Sequence, residues 1–145
     1  MVAPSVDRTV DVCRCREDGI PMRVLIADDR SQVRSALRLL LTQQPDLVVV
    51  GEAVDAGQAL ALTEQRRPDL VLLDWDLPGR GDALSPAGLR ALRPELSVVA
   101  LSGRPEARRA ALDAGADLFV SKGDPPERLL AAVDACRRPS SGPRS

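Results

Sequence analysis

Histidine is absent from the 145 residues of the chain, and lysine occurs only once, as Lys122. The lack of histidine excludes zinc sites with histidine ligands, serine or cysteine triads that use histidine as the base, and carriers of phosphohistidine. Chemistry in this chain must therefore come from carboxylates, hydroxyls and one amine. Since all the other basic residues are arginines, the position of the single lysine needs a specific explanation.

Cysteine is also scarce, and three cysteines do not make a disulfide framework. Cys13 and Cys15 lie in a polar N-terminal stretch, and Cys136 lies in a late helical pattern. A Cys-x-Cys pair without histidine or further nearby ligands makes a poor zinc site. We expect an inert N-terminal segment there rather than a metal or redox site.

Long apolar runs are missing, and the charges nearly balance. No apolar run reaches the roughly 18 residues of a membrane span, and residues 1–21 carry charges where a signal peptide would be apolar. We therefore expect a cytoplasmic protein without a membrane segment. A formal net charge of -1 gives no general attraction to phosphate backbones, so direct nucleic-acid binding by this chain is not expected.

The length and the composition are those of one folded domain. Residues 1–21 have no sustained periodicity, and residues 137–145 are rich in proline, serine, glycine and arginine, a composition that does not pack. We predict a flexible N-terminal extension at 1–21, a folded domain at 22–136 and a disordered tail at 137–145. The sequence leaves open whether translation starts at Met1 or at Met22.

Short apolar runs of strand length alternate with segments of helical periodicity within the predicted domain. The predicted strands are Arg23–Ala27, Leu47–Val50, Leu70–Leu73, Val98–Leu101 and Leu118–Val120. A helical pattern follows each strand, and in the third Pro86, Gly88 and Pro94 leave only about two turns near Ala87–Leu92. Five such units predict an α/β fold with a five-stranded parallel sheet and helices on both faces.

Polar side chains stand directly after the predicted strands, at the edge where open parallel sheets carry their sites. They are Asp28, Asp29, Asp74, Asp76, Ser102 and Lys122. Carboxylates that converge at one edge repel one another unless a cation neutralises them, and a hard cation such as Mg²⁺ suits oxygen ligands. Carboxylates, Mg²⁺, a hydroxyl and an ammonium are the parts that stabilise a phosphoryl group in transfer.

Each of these positions also has a purely structural interpretation. The acidic pairs are compatible with turns and helix caps, Ser102 with an ordinary loop hydroxyl, and Lys122 with a solvated charge. These interpretations are independent of one another. A phosphoryl site explains all of the positions together, including that of the only lysine.

Four segments at the strand ends carry their motifs in a specific order. They are Ile26–Asp29, Pro68–Gly79, Val99–Gly103 and Ala114–Gly123. Together they resemble the receiver domain of response regulators in bacterial two-component signalling, over residues 22–136. The resemblance implies the flavodoxin-like (βα)5 fold with strand order 2-1-3-4-5. The spacing is closest to the branch whose receivers usually precede a helix-turn-helix output domain.

The resemblance also implies roles for the acidic residues. Asp74 matches the phosphoacceptor of the family. Asp28 and Asp29 match the acidic pair that holds Mg²⁺, with Asp74 as a further ligand. Asp76 would offer its backbone carbonyl to the same metal. Mg²⁺ is therefore the cofactor that the resemblance implies.

The remaining matches concern the switch. Ser102 matches the switch hydroxyl, Phe119 the switch aromatic, and Lys122 the phosphate-binding lysine. Phe119 also has a structural interpretation, since a phenylalanine in a strand is usually a core residue. It has no hydroxyl, which excludes coupling through a tyrosine hydrogen bond. Two departures lie on the switching surface: the segment between Ser102 and Lys122 is a residue or two shorter than usual, and Pro86 interrupts the third helix.

The leading hypothesis is a phosphoacceptor switch in a phosphorelay. A sensor histidine kinase would donate the phosphoryl group to Asp74, and the surface made by the fourth helix, fifth strand and fifth helix would change. The same surface is predicted to form a weak, phosphorylation-promoted homodimer. Such a switch catalyses its own phosphorylation and dephosphorylation and is not a dedicated enzyme.

Two other hypotheses stay open at this point. The chain could be a receiver-like scaffold, or a fragment of a longer regulator, that acts by association without phosphorylation. A small Mg²⁺-dependent phosphatase or nuclease that uses Asp74 and Asp76 is disfavoured, because Pro78 stands where the haloacid-dehalogenase-like pattern has threonine or valine.

Overall fold

A five-stranded parallel sheet organises the part of the chain that the structure, a computed structural model, describes, residues 21–81 and 84–136. The strands are β1 (Met22–Ala27), β2 (Leu47–Ala53), β3 (Leu70–Asp74), β4 (Ser97–Ser102) and β5 (Leu118–Ser121). The helices are α1 (Ser31–Thr42), α2 (Ala56–Arg66), α3 (Pro86–Leu92), α4 (Ala107–Asp113) and α5 (Pro126–Cys136). The strands lie in the order β2-β1-β3-β4-β5, so the predicted fold class and strand order are confirmed.

Two apolar layers cover the sheet, because successive side chains of a strand point to opposite faces. Val24 and Ile26 of β1 pack in the layer under α1 and α5, whereas Leu25 and Ala27 pack in the layer under α2, α3 and α4. The central strand β3 is buried along its whole length, as expected for a parallel strand with helices on both faces. The last residue of this strand, Asp74, is therefore held by the interior of the fold.

Strand β2 is longer than predicted. It continues past Val50 to Ala53, which pairs with Ala27 at the end of β1. Glu52 interrupts the apolar pattern from which the strand was predicted, and its carboxylate is bound by Arg34 of α1 at 3.2 Å. A charged residue on an edge strand is tolerated when a partner on the neighbouring helix neutralises it.

Helix α3 begins at Pro86 and is not interrupted by it. Ser85 caps the helix by accepting a hydrogen bond from the backbone N–H of Gly88 at 3.0 Å. Proline is favoured at the first helical position, where its missing N–H has no partner to lose. The predicted short helix is therefore present, and the prediction that Pro86 interrupts it is wrong.

Several predictions lie outside the described residues. They concern the N-terminal extension with Cys13 and Cys15 and the C-terminal tail at 137–145. Within the described part of the chain, no helix is long and apolar enough to cross a membrane.

Candidate functional site

The carboxyl edge of the sheet is fixed by backbone hydrogen bonds that continue just past the strand ends. The N–H of Trp75 donates to the carbonyl of Leu101 at 2.7 Å, and the N–H of Lys122 donates to the carbonyl of Ser102 at 2.8 Å. These bonds tie the loops after β3 and β5 to β4. Side chains that follow the strands are therefore positioned by the sheet itself.

Three carboxylates converge at this edge. The Asp28 and Asp74 side chains are buried, Asp29 is exposed, and one oxygen of each lies within 4.8 Å of the others. Two backbone contacts fix Asp28: its Oδ1 accepts from the N–H of Arg30 at 2.9 Å, and its carbonyl accepts from Arg34 Nη1 at 2.8 Å. The predicted acidic cluster is thus present in the folded chain.

Lys122 joins the two buried carboxylates. Its Nζ lies 2.6 Å from Asp28 Oδ2 and 3.3 Å from Asp74 Oδ1. The ion pair leaves Asp28 Oδ2 buried without an aligned hydrogen bond. The loop that carries the lysine is closed by the side chain of Asp124, which accepts from the N–H of Ser121 at 3.1 Å. The Lys122 ammonium is therefore held by its two ion pairs and by the closed loop that carries it.

The electrostatic environment of Asp74 is mixed. Burial raises the pKa of this carboxyl, a hydrogen bond from the N–H of Asp76 lowers it, the charge of Asp28 raises it and Lys122 lowers it, with a net rise. The Asp76 N–H and the lysine both contact Oδ1, at 3.0 and 3.3 Å. Among the described residues, none forms a hydrogen bond with Asp74 Oδ2. One oxygen of the buried Asp74 carboxylate is therefore held by two contacts, and the other is available to react.

The side chain of Asp76 has partners that the sequence analysis missed. Arg104 Nη2 lies 2.6 Å from Asp76 Oδ1, and Ser102 Oγ donates to Asp76 Oδ2 at 3.1 Å. The Arg104 hydrogen bond is the main reason that the pKa of Asp76 lies below its usual value. The N–H of Arg104 also donates to Ser102 Oγ at 3.0 Å. In the sequence, the signal for this ion pair was an arginine two residues after the site hydroxyl.

Arg80 covers the indole beside the acceptor carboxylate. Its guanidinium carbon lies 3.7 Å from the centre of the Trp75 ring, and its Nε donates to the Trp75 carbonyl at 2.8 Å. Burial lowers the pKa of Arg80 from its usual value. A cation over an aromatic face is attracted by the ring quadrupole, so this contact shields the indole at the rim of the site.

Phe119 is a core residue of the sheet. It is 9% exposed and packs in the layer under α2, α3 and α4. This burial is what the core interpretation of the residue requires. Its role as a switch aromatic stays a prediction.

The sequence profile described as the response regulator receiver domain matches residues 24–134. The chain belongs to this family of receiver domains. It is similar to the nitrate/nitrite response regulator NarL of Escherichia coli K12, with 35% identity over 115 residues that cover 78% of this chain and 53% of NarL. The transcriptional regulatory protein PdtaR of Mycobacterium tuberculosis H37Rv is 35% identical over 118 residues, covering 80% of this chain and 57% of PdtaR.

Solved structures of receiver domains have the same fold. A two-component response regulator of the LuxR family from Aurantimonas sp. SI85-9A1 aligns with a TM-score of 0.72 and 32% identity, over 79% of this chain and 84% of that chain. A CheY-like receiver domain protein from Methanospirillum hungatei JF-1 aligns with a TM-score of 0.69 and 27% identity, over 79% and 92%. The predicted family and branch are confirmed.

The receiver spans about half the length of the curated relatives that it matches. Receiver domains as a family bind Mg²⁺ at an acidic pocket, are partners of histidine kinases and are generally not enzymes. The cluster of Asp28, Asp29 and Asp74 lies where such a pocket is expected.

Proposed function

We propose that this receiver is a phosphoacceptor switch that takes a phosphoryl group onto Asp74. The supporting observation is the combination of a buried carboxylate with one anchored oxygen, two acidic neighbours and a lysine within 3.3 Å. A structural turn or helix cap does not need this combination. A phosphoryl acceptor needs all of it, because negative charge accumulates there during transfer.

Asp74 Oδ2 is the proposed nucleophile. It forms the new bond to phosphorus while the bond to the leaving group breaks on the opposite side, and the leaving atom keeps the electron pair. Anchoring of Oδ1 by the Asp76 N–H at 3.0 Å limits rotation of the carboxylate, which favours in-line attack. Burial that raises the pKa of Asp74 also makes its ionised form more basic, and hence a better nucleophile.

The acidic cluster fits a hard divalent cation. Carboxylate oxygens are the ligands that Mg²⁺ prefers. The buried Asp28 Oδ2 accepts no aligned hydrogen bond, and the Lys122 ammonium at 2.6 Å is the charge that would move away when a cation binds there. Asp28, Asp29 and Asp74 would hold Mg²⁺ with their side chains and Asp76 with its carbonyl. When bound, the ion would neutralise charge on the transferred group.

Lys122 and Ser102 are the proposed binders of the phosphoryl oxygens. Nζ of the lysine already contacts Asp74 Oδ1, so a small movement is enough to reach an added group. The hydroxyl of Ser102 would turn from Asp76 towards the same group. These movements would shift α4 and β5, with Phe119 as the switch aromatic, and present a changed surface of α4, β5 and α5.

A sensor histidine kinase in the cytoplasm is the proposed phosphodonor. Loss of the phosphoryl group would follow slow, self-catalysed hydrolysis, so the receiver works as a switch and not as a dedicated enzyme. A homodimer through the α4, β5 and α5 surface is the proposed consequence of phosphorylation. We do not expect this chain to contact nucleic acid directly, because its net charge is only -1.

Incubation with acetyl phosphate tests the proposal. We expect wild-type protein with Mg²⁺ to gain about 80 Da by intact mass, the increment of one phosphoryl group. Chelation of Mg²⁺ should strongly reduce the gain, and Asp74→Ala should abolish it. Asp113→Ala, which removes an exposed carboxylate of α4, is the matched control. A wild-type protein without any mass gain would favour a scaffold that acts by association.

A further inference from the structure

The hydroxyl of Ser102 is fully engaged in the structure. The side chain is buried, its Oγ accepts from the N–H of Arg104 at 3.0 Å, and it donates to Asp76 Oδ2 at 3.1 Å. A serine hydroxyl has a single proton to donate. In this arrangement Ser102 donates that proton to the carboxylate of Asp76.

The proposed function requires the same proton elsewhere. Ser102 must donate to an oxygen of the phosphoryl group on Asp74, and one proton cannot serve two acceptors at once. The carboxylate of Asp76 therefore competes with the incoming phosphoryl group for Ser102. The strength of this competition depends on the contacts that hold the Asp76 side chain in place.

Arg104 is the residue that holds Asp76. Its Nη2 lies 2.6 Å from Asp76 Oδ1, so the other carboxylate oxygen is directed to Ser102. Both side chains of the pair are about half exposed, 52% for the arginine and 45% for the aspartate. Exposed pairs of this kind are weak. The contact is thus weak enough to be broken when the site is occupied.

We propose that Arg104 is a positioning residue that holds Asp76 and thereby keeps the Ser102 hydroxyl turned away from Asp74 until a phosphoryl group arrives. This inference rests on the proposed function. During transfer from acetyl phosphate, the bond from phosphorus to the acetate oxygen breaks, acetate leaves with the electron pair, and Asp74 forms the new bond. Ser102 changes acceptor from Asp76 to a phosphoryl oxygen in the same process.

Arg104→Met tests the inference, because methionine keeps the length of the side chain and removes every donor. We expect acetyl phosphate with Mg²⁺ to phosphorylate this variant about two- to fivefold faster than wild type, the effect of losing one exposed ion pair. Arg104→Lys keeps a charge for Asp76 and should restore the wild-type rate. Arg108→Met removes the same charge from the exposed face of α4 and should leave the rate unchanged.

Charge alone predicts the opposite result. Loss of a positive charge beside the site would slow the capture of an anionic donor, so a faster Arg104→Met variant cannot be explained in that way. If Arg104 acts through Ser102, the acceleration should disappear in a Ser102→Ala background. An Arg104→Met variant that is no faster than wild type, or equally accelerated without Ser102, would overturn the proposal.

A second measurement does not depend on phosphorylation. Side-chain coupling constants from NMR report the χ1 rotamer of Ser102 in the unmodified protein. We expect one rotamer in wild type, Arg104→Lys and Arg108→Met, and averaging in Arg104→Met. A single unchanged rotamer in Arg104→Met contradicts the proposal. If Asp74 accepts no phosphoryl group in any variant, the proposed function fails, and the rotamer measurement still decides whether Arg104 restrains Ser102.

Discussion

At the level of single residues, Lys122 shows why the site needs an ammonium, although all the other basic residues of the chain are arginines. It contacts two carboxylates, at 2.6 and 3.3 Å, and its side chain is 19% exposed. A guanidinium is a planar fork, wider than an ammonium, and would crowd a pocket that also holds a metal. A compact charge can approach a carboxylate before transfer and a phosphoryl oxygen after it.

We therefore expect Lys122→Arg to impair the switch nearly as much as Lys122→Ala. Both variants should still accept a phosphoryl group on Asp74 in the presence of Mg²⁺, and both should lose the response of α4 and β5. Amide chemical shifts with and without beryllofluoride measure that response. Arg128→Lys, the reverse exchange at an exposed position of α5, is the control. A Lys122→Arg receiver that switches like wild type would show that only charge is required.

Burial of Asp74 predicts a dependence of stability on pH. Because burial raises the pKa of this carboxyl, the folded state binds its proton more tightly than the unfolded state does, and the ionised form costs stability at neutral pH. In metal-free protein, Asp74→Asn should therefore raise the free energy of unfolding at pH 7. The gain should shrink as the pH falls through the folded pKa, since wild-type Asp74 is then neutral as well.

Urea unfolding of both proteins over a pH series measures this difference. Asp113→Asn, at an exposed position, should show no comparable gain. A gain that is independent of pH, or an Asp74→Asn variant that is less stable at neutral pH, would mean that Lys122 compensates the buried charge completely.

At the level of elements, Arg90 ties the short helix α3 to the loops that precede β4 and β5. Arg90 donates to the carbonyls of Leu96 and Gly115, at 3.2 and 2.8 Å, and pairs with Asp117 at 2.6 Å. We expect Arg90→Ala to lower the free energy of unfolding by about 1 kcal/mol, since water can replace only part of these bonds. Arg108→Ala should change it by less than about 0.5 kcal/mol in the same urea titration. An equal effect of the two substitutions would contradict this assignment.

Helices and strands could be predicted from the sequence where they carry an uninterrupted apolar pattern. The prediction was less accurate where a charged residue interrupts that pattern. The buried strand β3 was evident as a continuous apolar run. The end of β2 was missed because Glu52 interrupts the run, and only the fold brings Arg34 to it. Pro86 was interpreted as an interruption, although a serine directly before a proline is the sequence signal of a helix that begins at the proline.

The residues of the site were predictable for a different reason. In a parallel sheet, residues that follow the strands meet at one edge whatever the loop details, so Asp28, Asp74 and Lys122 could be brought together from spacing alone. The orientation of Arg104 could not, because it depends on the short loop before α4. The restraint on Ser102 is accordingly the part of the site that only the structure reveals.

At the scale of the whole molecule, the proposed dimer would join α4, β5 and α5 of two copies. Helix α4 exposes Arg109 and Asp113, and opposite charges on one face allow a two-fold, self-complementary contact. Sedimentation velocity should show a monomer without beryllofluoride and a weak dimer with it. Asp74→Ala should stay monomeric in both conditions. A monomer under all conditions would rule out the dimer but would not bear on the phosphoryl site.

Locating the phosphoryl group in the chain shows whether Asp74 is the acceptor. Borohydride reduces an acyl phosphate to an alcohol, so an aspartyl phosphate is converted into homoserine, which peptide mass spectrometry can place in the chain. After treatment with acetyl phosphate and Mg²⁺, we predict homoserine at position 74 and at no other aspartate. Homoserine at position 28, 29 or 76, or none at all, would mean that Asp74 is not the acceptor.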